Sequence, residues 1–171
     1  VIRLSGLLCG ALALLLVACH GGDTCSPGQP CDCHDGNECY LSCSGNACLE
    51  SCENQVRCGG VCDDACSFTC HDMTDCSTSC GAGCTANCHN TVTCGGIVGP
   101  NSHYTCHDTS RCGVTTGNGS TVDCHNVTTC EVVCEGTCKV NCSGTNSCKV
   151  RCGSPNSTAL NCADGSDACG C

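Results

Sequence analysis

The stretch CHNTVTC, residues 88–94, decides how this chain has to be read. It has close copies in CHDMTDC at 70–76, CHDTSRC at 106–112 and CHNVTTC at 124–130, so four Cys-His-Asx openings stand 18 residues apart. Working outward, the register continues in both directions. Cys33, Cys52, Cys70, Cys88, Cys106, Cys124 and Cys142 each open a unit, with one step of 19 residues and the rest of 18. Cys39, Cys58, Cys76, Cys94, Cys112, Cys130 and Cys148 each follow six positions later. A fixed short period with no long helical pattern predicts an all-β, disulfide-rich β-solenoid of about 18 residues per coil, each coil too small to bury its own interior and stacked on the next at ~4.8 Å. Seven or eight coils would make a rod roughly 35 Å long. The competing architecture is a string of small disulfide knots without ladder hydrogen bonds. Small and β-branched residues recurring in columns, Val114, Val132 and Val150 in one and Ala86, Val122 and Val140 in another, favour strands and stacking.

Composition explains why cysteine carries the repeat. The chain has 171 residues with 30 Cys, one Phe, two Tyr and no Trp, so an ordinary aliphatic and aromatic core cannot be built. Cross-links restrict the unfolded ensemble where burial alone would not suffice.

Two more cysteines sit ten and fourteen positions after the opening one in three units, as Cys62 and Cys66, Cys80 and Cys84, and Cys134 and Cys138. The first unit has the looser pair Cys43 and Cys48. In two units both are replaced together, by Val98 with Ser102 and by Thr116 with Ser120. Joint loss predicts the bonds Cys62–Cys66, Cys80–Cys84, Cys134–Cys138 and Cys43–Cys48. The rival scheme, tenth to tenth and fourteenth to fourteenth between adjacent units, also explains the double loss but strands Cys43 and Cys48. A disulfide tolerates a Cα separation of only ~4.4–6.8 Å, so the segment between tenth and fourteenth positions must turn, and its Gly, Asp, Asn and Ser residues suit that. Opening and sixth-position cysteines can bridge in the same way, as Cys70–Cys76, Cys88–Cys94, Cys106–Cys112 and Cys124–Cys130, because the Asx two places after the opening cysteine favours a bend. Cys152 finds Asn156 where its partner should be and turns to the tail, at Cys162, Cys169 or Cys171. The tail from Cys162 to Cys171 reads as a degenerate eighth unit.

The first twenty residues have a different composition. One charge at Arg3, an apolar run from Leu7 to Val17 and then small residues around a cysteine give the layout of a secretory signal over 1–18. Leu16, Val17, Ala18 and Cys19 resemble a bacterial lipobox, which implies cleavage before Cys19 and a diacylglyceryl group on its sulfur. Residues 19–32 then form the lipidated cysteine, a tether and a short cysteine-containing head, and 33–171 the repeat domain. Setting aside Cys9 and Cys19 leaves 28 cysteines, an even number that full oxidation would pair completely. The mature part keeps five of the six basic residues against 16 acidic ones, a formal charge of −11, which repels nucleic acid and anionic headgroups.

Two columns offer chemistry. His71, His89, His107 and His125, with His34 outlying, are each followed by Asp or Asn. Stacked at one strand spacing they are candidate ligands for a divalent metal such as Zn²⁺, Cu²⁺ or Ni²⁺. Alternatively, Asx forms the corner of the coil and His stacks on its neighbour. Glu53 and Ser143 interrupt the column. Three and five positions after the opening cysteine come Thr91, Thr93, Thr109, Thr129 and Thr145, a pattern that resembles the ice-binding face of beetle antifreeze proteins, although Gln55, Arg57, Met73, Asp75 and Arg111 intrude. No arrangement of catalytic residues or cofactor fingerprint can be placed, so no enzymatic activity and no resident cofactor is expected.

With its lipobox and its repeated Cys-His-Asx openings with six-residue cysteine spacing, residues 5–171 resemble cysteine-rich repeat lipoproteins of predatory and soil bacteria such as myxobacteria. That family has no established activity. The resemblance implies a lipid-anchored protein of the outer membrane or cell surface, or else a secreted or periplasmic one. It would contact the membrane through its N-terminal lipid and have a protein or matrix partner. His20 after Cys19 is not the Asp that retains many lipoproteins at the inner membrane, which favours the outer one.

Overall fold

The structure, a computed structural model, describes residues 23–153, 159–162 and 165–170. The expected signal segment 1–18, Cys19 with its lipid, and Cys171 lie outside the described residues. The chain is a parallel β-solenoid. Its strands are β1 (Asp23–Cys25), β2 (Pro30–Cys43), β3 (Leu49–Cys62), β4 (Ser67–Cys80) and β5 (Thr85–Val98) in the first coils. They continue with β6 (His103–His107), β7 (Arg111–Thr116), β8 (Ser120–His125), β9 (Thr129–Cys134), β10 (Cys138–Ser143) and β11 (Ser147–Cys152), and end in β12 (Leu160–Asn161) and β13 (Asp167–Cys169). From β2 to β11 every pairing is parallel, and equivalent positions stack in the register expected from the sequence. Cys33, Cys52, Cys70, Cys88, Cys106 and Cys124 form one column, and Cys39, Cys58, Cys76, Cys94, Cys112 and Cys130 another. Continuous ladders exclude a string of independent knots.

The corner after each Cys-His has a simple cause. Asp35, Asn54, Asp72, Asn90, Asp108 and Asn126 all have φ between 51° and 57°, and Gly144 takes the same place at 64°. That is the left-handed region, where Asn, Asp and Gly are the residues that cost least. A bend there lets a six-residue span close on itself, and each opening cysteine bonds the sixth-position one across it, from Cys33–Cys39 through Cys142–Cys148. The second family of bonds closes the opposite turn: Cys43–Cys48, Cys62–Cys66, Cys80–Cys84 and Cys134–Cys138. Every cysteine among the described residues is disulfide-bonded. Where the second bond is missing, Val98 and Thr116 fill its inner position and serine hydroxyls replace sulfur. Ser102 Oγ accepts the Cys84 N–H at 3.1 Å and donates to the Gly81 carbonyl. Ser120 Oγ does the same for the Ser102 N–H and the Gly99 carbonyl. A hydrogen bond between coils thus takes over from a crosspiece within one.

Both ends depart from the expected boundaries. The head joins the solenoid: β1 pairs with β2, setting Cys25 beside Cys43, and Cys25 bonds Cys31. The tail is not an eighth coil. β13 runs antiparallel to β10, with Cys169 opposite Cys138, and β12 pairs back on β13. Cys152 bonds Cys169, the second of its three candidate partners. The returning strand covers part of the open edge of the last coil, where unpaired backbone groups would invite another chain.

Cystine fills the interior, together with a few large side chains placed opposite small ones. Eight positions separate Gly60 from Phe68 and Gly96 from Tyr104, a glycine for each ring, whereas Thr78 with Ala86, Val114 with Val122 and Val132 with Val140 pair residues of middling size at the same spacing. A Cβ on Gly60 would collide with the Phe68 ring and the Glu50 carboxylate. Gly60→Ala is therefore expected to lower stability by about 1–3 kcal/mol through overpacking, read as a lower guanidinium midpoint of the oxidised protein. An unchanged midpoint would refute this packing account. The Tyr104 hydroxyl, in the same column as Phe68, donates to the Gly95 carbonyl at 3.0 Å, and burial pushes its phenol pKa up.

Candidate functional site

The Cys-His-Asx corner projects the histidines outward. His34, Glu53, His71, His89, His107 and His125 form one column at strand spacing. Within it the rings associate in pairs. His71 and His89 stack with centroids 5.0 Å apart and planes 3° from parallel, and His107 and His125 stack at 4.9 Å and 6°. Ring lone pairs lie in the ring plane, so parallel rings aim theirs side by side and cannot converge on one ion. Stacking is thus the packing solution for this column, and it does not bring His71, His89, His107 and His125 together as a chelate. Among the described residues, the groups of three or more ligand-type atoms that do converge are all cysteines, such as Cys62, Cys66 and Cys84. Those sulfurs are in disulfides and offer no thiolate to a metal.

Beside the histidines runs a feature that the sequence reading passed over. The corner residues alternate strictly, Asp35, Asn54, Asp72, Asn90, Asp108, Asn126. Each carboxylate can thus face an amide in the next coil instead of a like charge, which directly opposed would be destabilising. Asn126 Nδ2 donates to Asp108 Oδ1 at 3.1 Å. Asp72 is held below its ordinary carboxylate pKa chiefly by its bond to His71, with further contributions from Asn90 and from the His71 and His89 charges. The alternation was visible in the sequence once the corner column had been aligned.

Carboxylates also orient the imidazoles. His71 Nδ1 lies 3.1 Å from Asp72 Oδ2, and His107 Nδ1 lies 3.0 Å from Asp108 Oδ2. Glu53, which breaks the histidine column, is not an idle interruption. Its Oε2 is 3.3 Å from His34 Nδ1 on one side and 3.7 Å from His71 Nε2 on the other.

The threonine columns do not form one face. Thr91 and Thr109 point into the coil and are buried, whereas Thr93 and Thr129 lie on its outer side. Thr91 Oγ1 contacts the sulfurs of Cys88 and Cys94. The bend at the Asx corner resets the inside-outside alternation, so the flat double row that the ice-binding resemblance needs is absent here. On the neighbouring outer positions Arg57 bridges Glu38 at 3.4 Å and Asp75 at 3.6 Å, and Arg111 and Lys149 both meet Glu131. These exposed pairs order the face and contribute little energy.

Inside the coil, the sequence reading also missed Glu50. It occupies the column of Phe68 and Tyr104, is 3% exposed, and neither carboxyl oxygen has a hydrogen-bond partner. Burial raises its pKa from 4.5 to about 7. Compared with known proteins, the chain matches no family model, no curated protein and no solved structure.

Proposed function

We propose that the chain is a lipid-anchored protein of the bacterial outer membrane or cell surface, with a structural or interaction role and no catalytic step of its own. The observation that carries this reading is the uninterrupted parallel register from β2 to β11, which repeats each outward side chain at one strand spacing. Such a surface offers a protein or matrix partner rows of hydroxyl, amide, imidazole and carboxylate groups, where an enzyme or a small-molecule receptor would gather its groups in a cleft. A formal charge of −11 outside the signal directs it away from nucleic acid and leaves membrane contact to the lipid. Disulfides in every coil suit an oxidising exterior, and the Leu16-Val17-Ala18-Cys19 motif supports the anchor.

The test is detergent phase partitioning with radiolabelled palmitate in a bacterial host. The wild-type protein is expected in the detergent phase and labelled. Cys19→Ala is expected in the aqueous phase and unlabelled. Label on the Cys19→Ala protein, or a wild-type protein that stays aqueous, would overturn the anchored reading.

A further inference from the structure

We propose that His34, Glu53 and His71 bind one divalent transition-metal ion of the zinc class, with Asp72 positioning His71. The site lies where the histidine column had looked broken, and it is independent of the lipid anchor.

Both nitrogens of His71 face carboxylates. Asp72 Oδ2 is 3.1 Å from Nδ1, and because a carboxylate can only accept, Nδ1 carries the hydrogen. In the neutral ring Nε2 is then a bare lone pair facing Glu53 Oε2 across 3.7 Å, and in the imidazolium it carries a second hydrogen aimed at the same oxygen. That gap is too long for a hydrogen bond and sets lone pair against carboxylate. A cation between them resolves the conflict: a proton on Nε2 when the ring is charged, or a metal ion when it is neutral. Zinc takes nitrogen at about 2.0–2.1 Å and carboxylate oxygen at about 2.0–2.2 Å, which at a tetrahedral angle puts two ligand atoms about 3.4 Å apart. His34 Nδ1 to Glu53 Oε2, at 3.3 Å, already has that separation, and His71 Nε2 comes within a few tenths of an ångström of it.

Two imidazoles and one carboxylate leave a fourth position to water. His34 and His71 flank Glu53 from the coils on either side and do not yet converge, so closing the set requires His34, a half-exposed side chain, to swing toward the His71 nitrogen while keeping the shared oxygen. Asp72 plays the part usual for a carboxylate behind a metal-bound histidine, fixing the tautomer and raising the basicity of the other nitrogen. The acidic outer surface adds long-range attraction for a cation. The stacked pair His107 and His125 has no such carboxylate between its coils and is excluded from the site.

The experiment titrates the untagged, fully oxidised chain with zinc chloride against a chromophoric chelator and follows the imidazole signals by NMR. One ion per chain at micromolar zinc is expected, with shifts at His34 and His71. Glu53→Gln and His71→Ala should each weaken binding at least tenfold, and Asp72→Asn about tenfold. Asp72→Asn should also change the pH dependence of binding. The double variant His107→Ala, His125→Ala should bind within twofold of wild type. All these side chains are on the surface, and the absence of free thiols in each variant verifies that its coils have closed. No binding at millimolar zinc, a loss of less than fivefold in both Glu53→Gln and His71→Ala, or binding abolished by the His107, His125 double variant would overturn the assignment.

Discussion

Reducing all the disulfides under non-denaturing conditions is expected to unfold this protein, with loss of its β circular-dichroism signal and of its resistance to protease. Thirteen disulfides have both ends among the described residues. Twelve close loops with separations of four to six residues. In the chain-entropy account a loop this short is worth about 2 kcal/mol. Halved for non-additivity, the sum is still about 12 kcal/mol, as much as the whole ~5–15 kcal/mol by which a domain of ordinary size is stable. The opposing consideration is that reduced cysteines stay buried as small hydrophobic side chains and the ladder hydrogen bonds remain available. Against that, each coil has at most three apolar residues of valine size or larger inside, among them Leu41, Phe68, Tyr104 and Val132. Far-UV spectra and limited proteolysis before and after treatment with a strong phosphine reductant decide the matter. A reduced chain that kept its spectrum and its protease resistance would show that the ladders suffice without sulfur.

The repeat was legible because sulfur cannot be substituted quietly. Losing one partner of a bond leaves a reactive thiol, so positions ten and fourteen change together, and Val98 with Ser102 and Thr116 with Ser120 expose the pairing. The Asx corner was legible as a bend, and the reason for its restriction to Asp, Asn and Gly is the positive φ at every one of these positions. What the sequence did not disclose depends on which way a side chain points. Thr91 and Thr93 are two residues apart and would share a face on a straight strand, but across this closed span the inward positions are Cys88, Thr91 and Cys94, every third residue, which leaves Thr93 outside. The tail was misread for a related reason. Spacing alone cannot tell a parallel coil from a strand that turns back, and Cys162, Cys169 and Cys171 fit a periodic pattern loosely enough to look like one more unit. Glu53 looked like a gap because one residue type was sought at every level of the column, whereas a carboxylate between two imidazoles is what contacts both neighbours, His34 and His71.

Glu50 gives the largest expected dependence of stability on pH. Its register partners are Cys31, which is in a disulfide, and Phe68, and its carboxylate crowds Gly60, so no neighbouring cation or donor offsets its burial. The folded protein therefore holds this proton up to about pH 7, while the unfolded chain releases it near 4.5. Across that window the folded state binds more protons than the unfolded one, so stability must fall as pH rises, by up to about 1.4 kcal/mol per pH unit, and level off above 7. The accumulated loss is about 3 kcal/mol. Glu50→Val puts at this position the residue that Val122 and Val140 already supply in the same column, and it removes the group that must ionise. The variant is expected to be about 3 kcal/mol more stable than wild type at pH 8 and nearly equal to it at pH 4. Guanidinium midpoints of the two oxidised proteins, measured from pH 4 to 8, give the difference directly and cancel the titration of the surface histidines and carboxylates common to both. A difference that stays flat across the range, or one that shrinks as pH rises, would mean that Glu50 is ionised and satisfied in the folded protein, and the interior of its coil would then have to contain a partner for it.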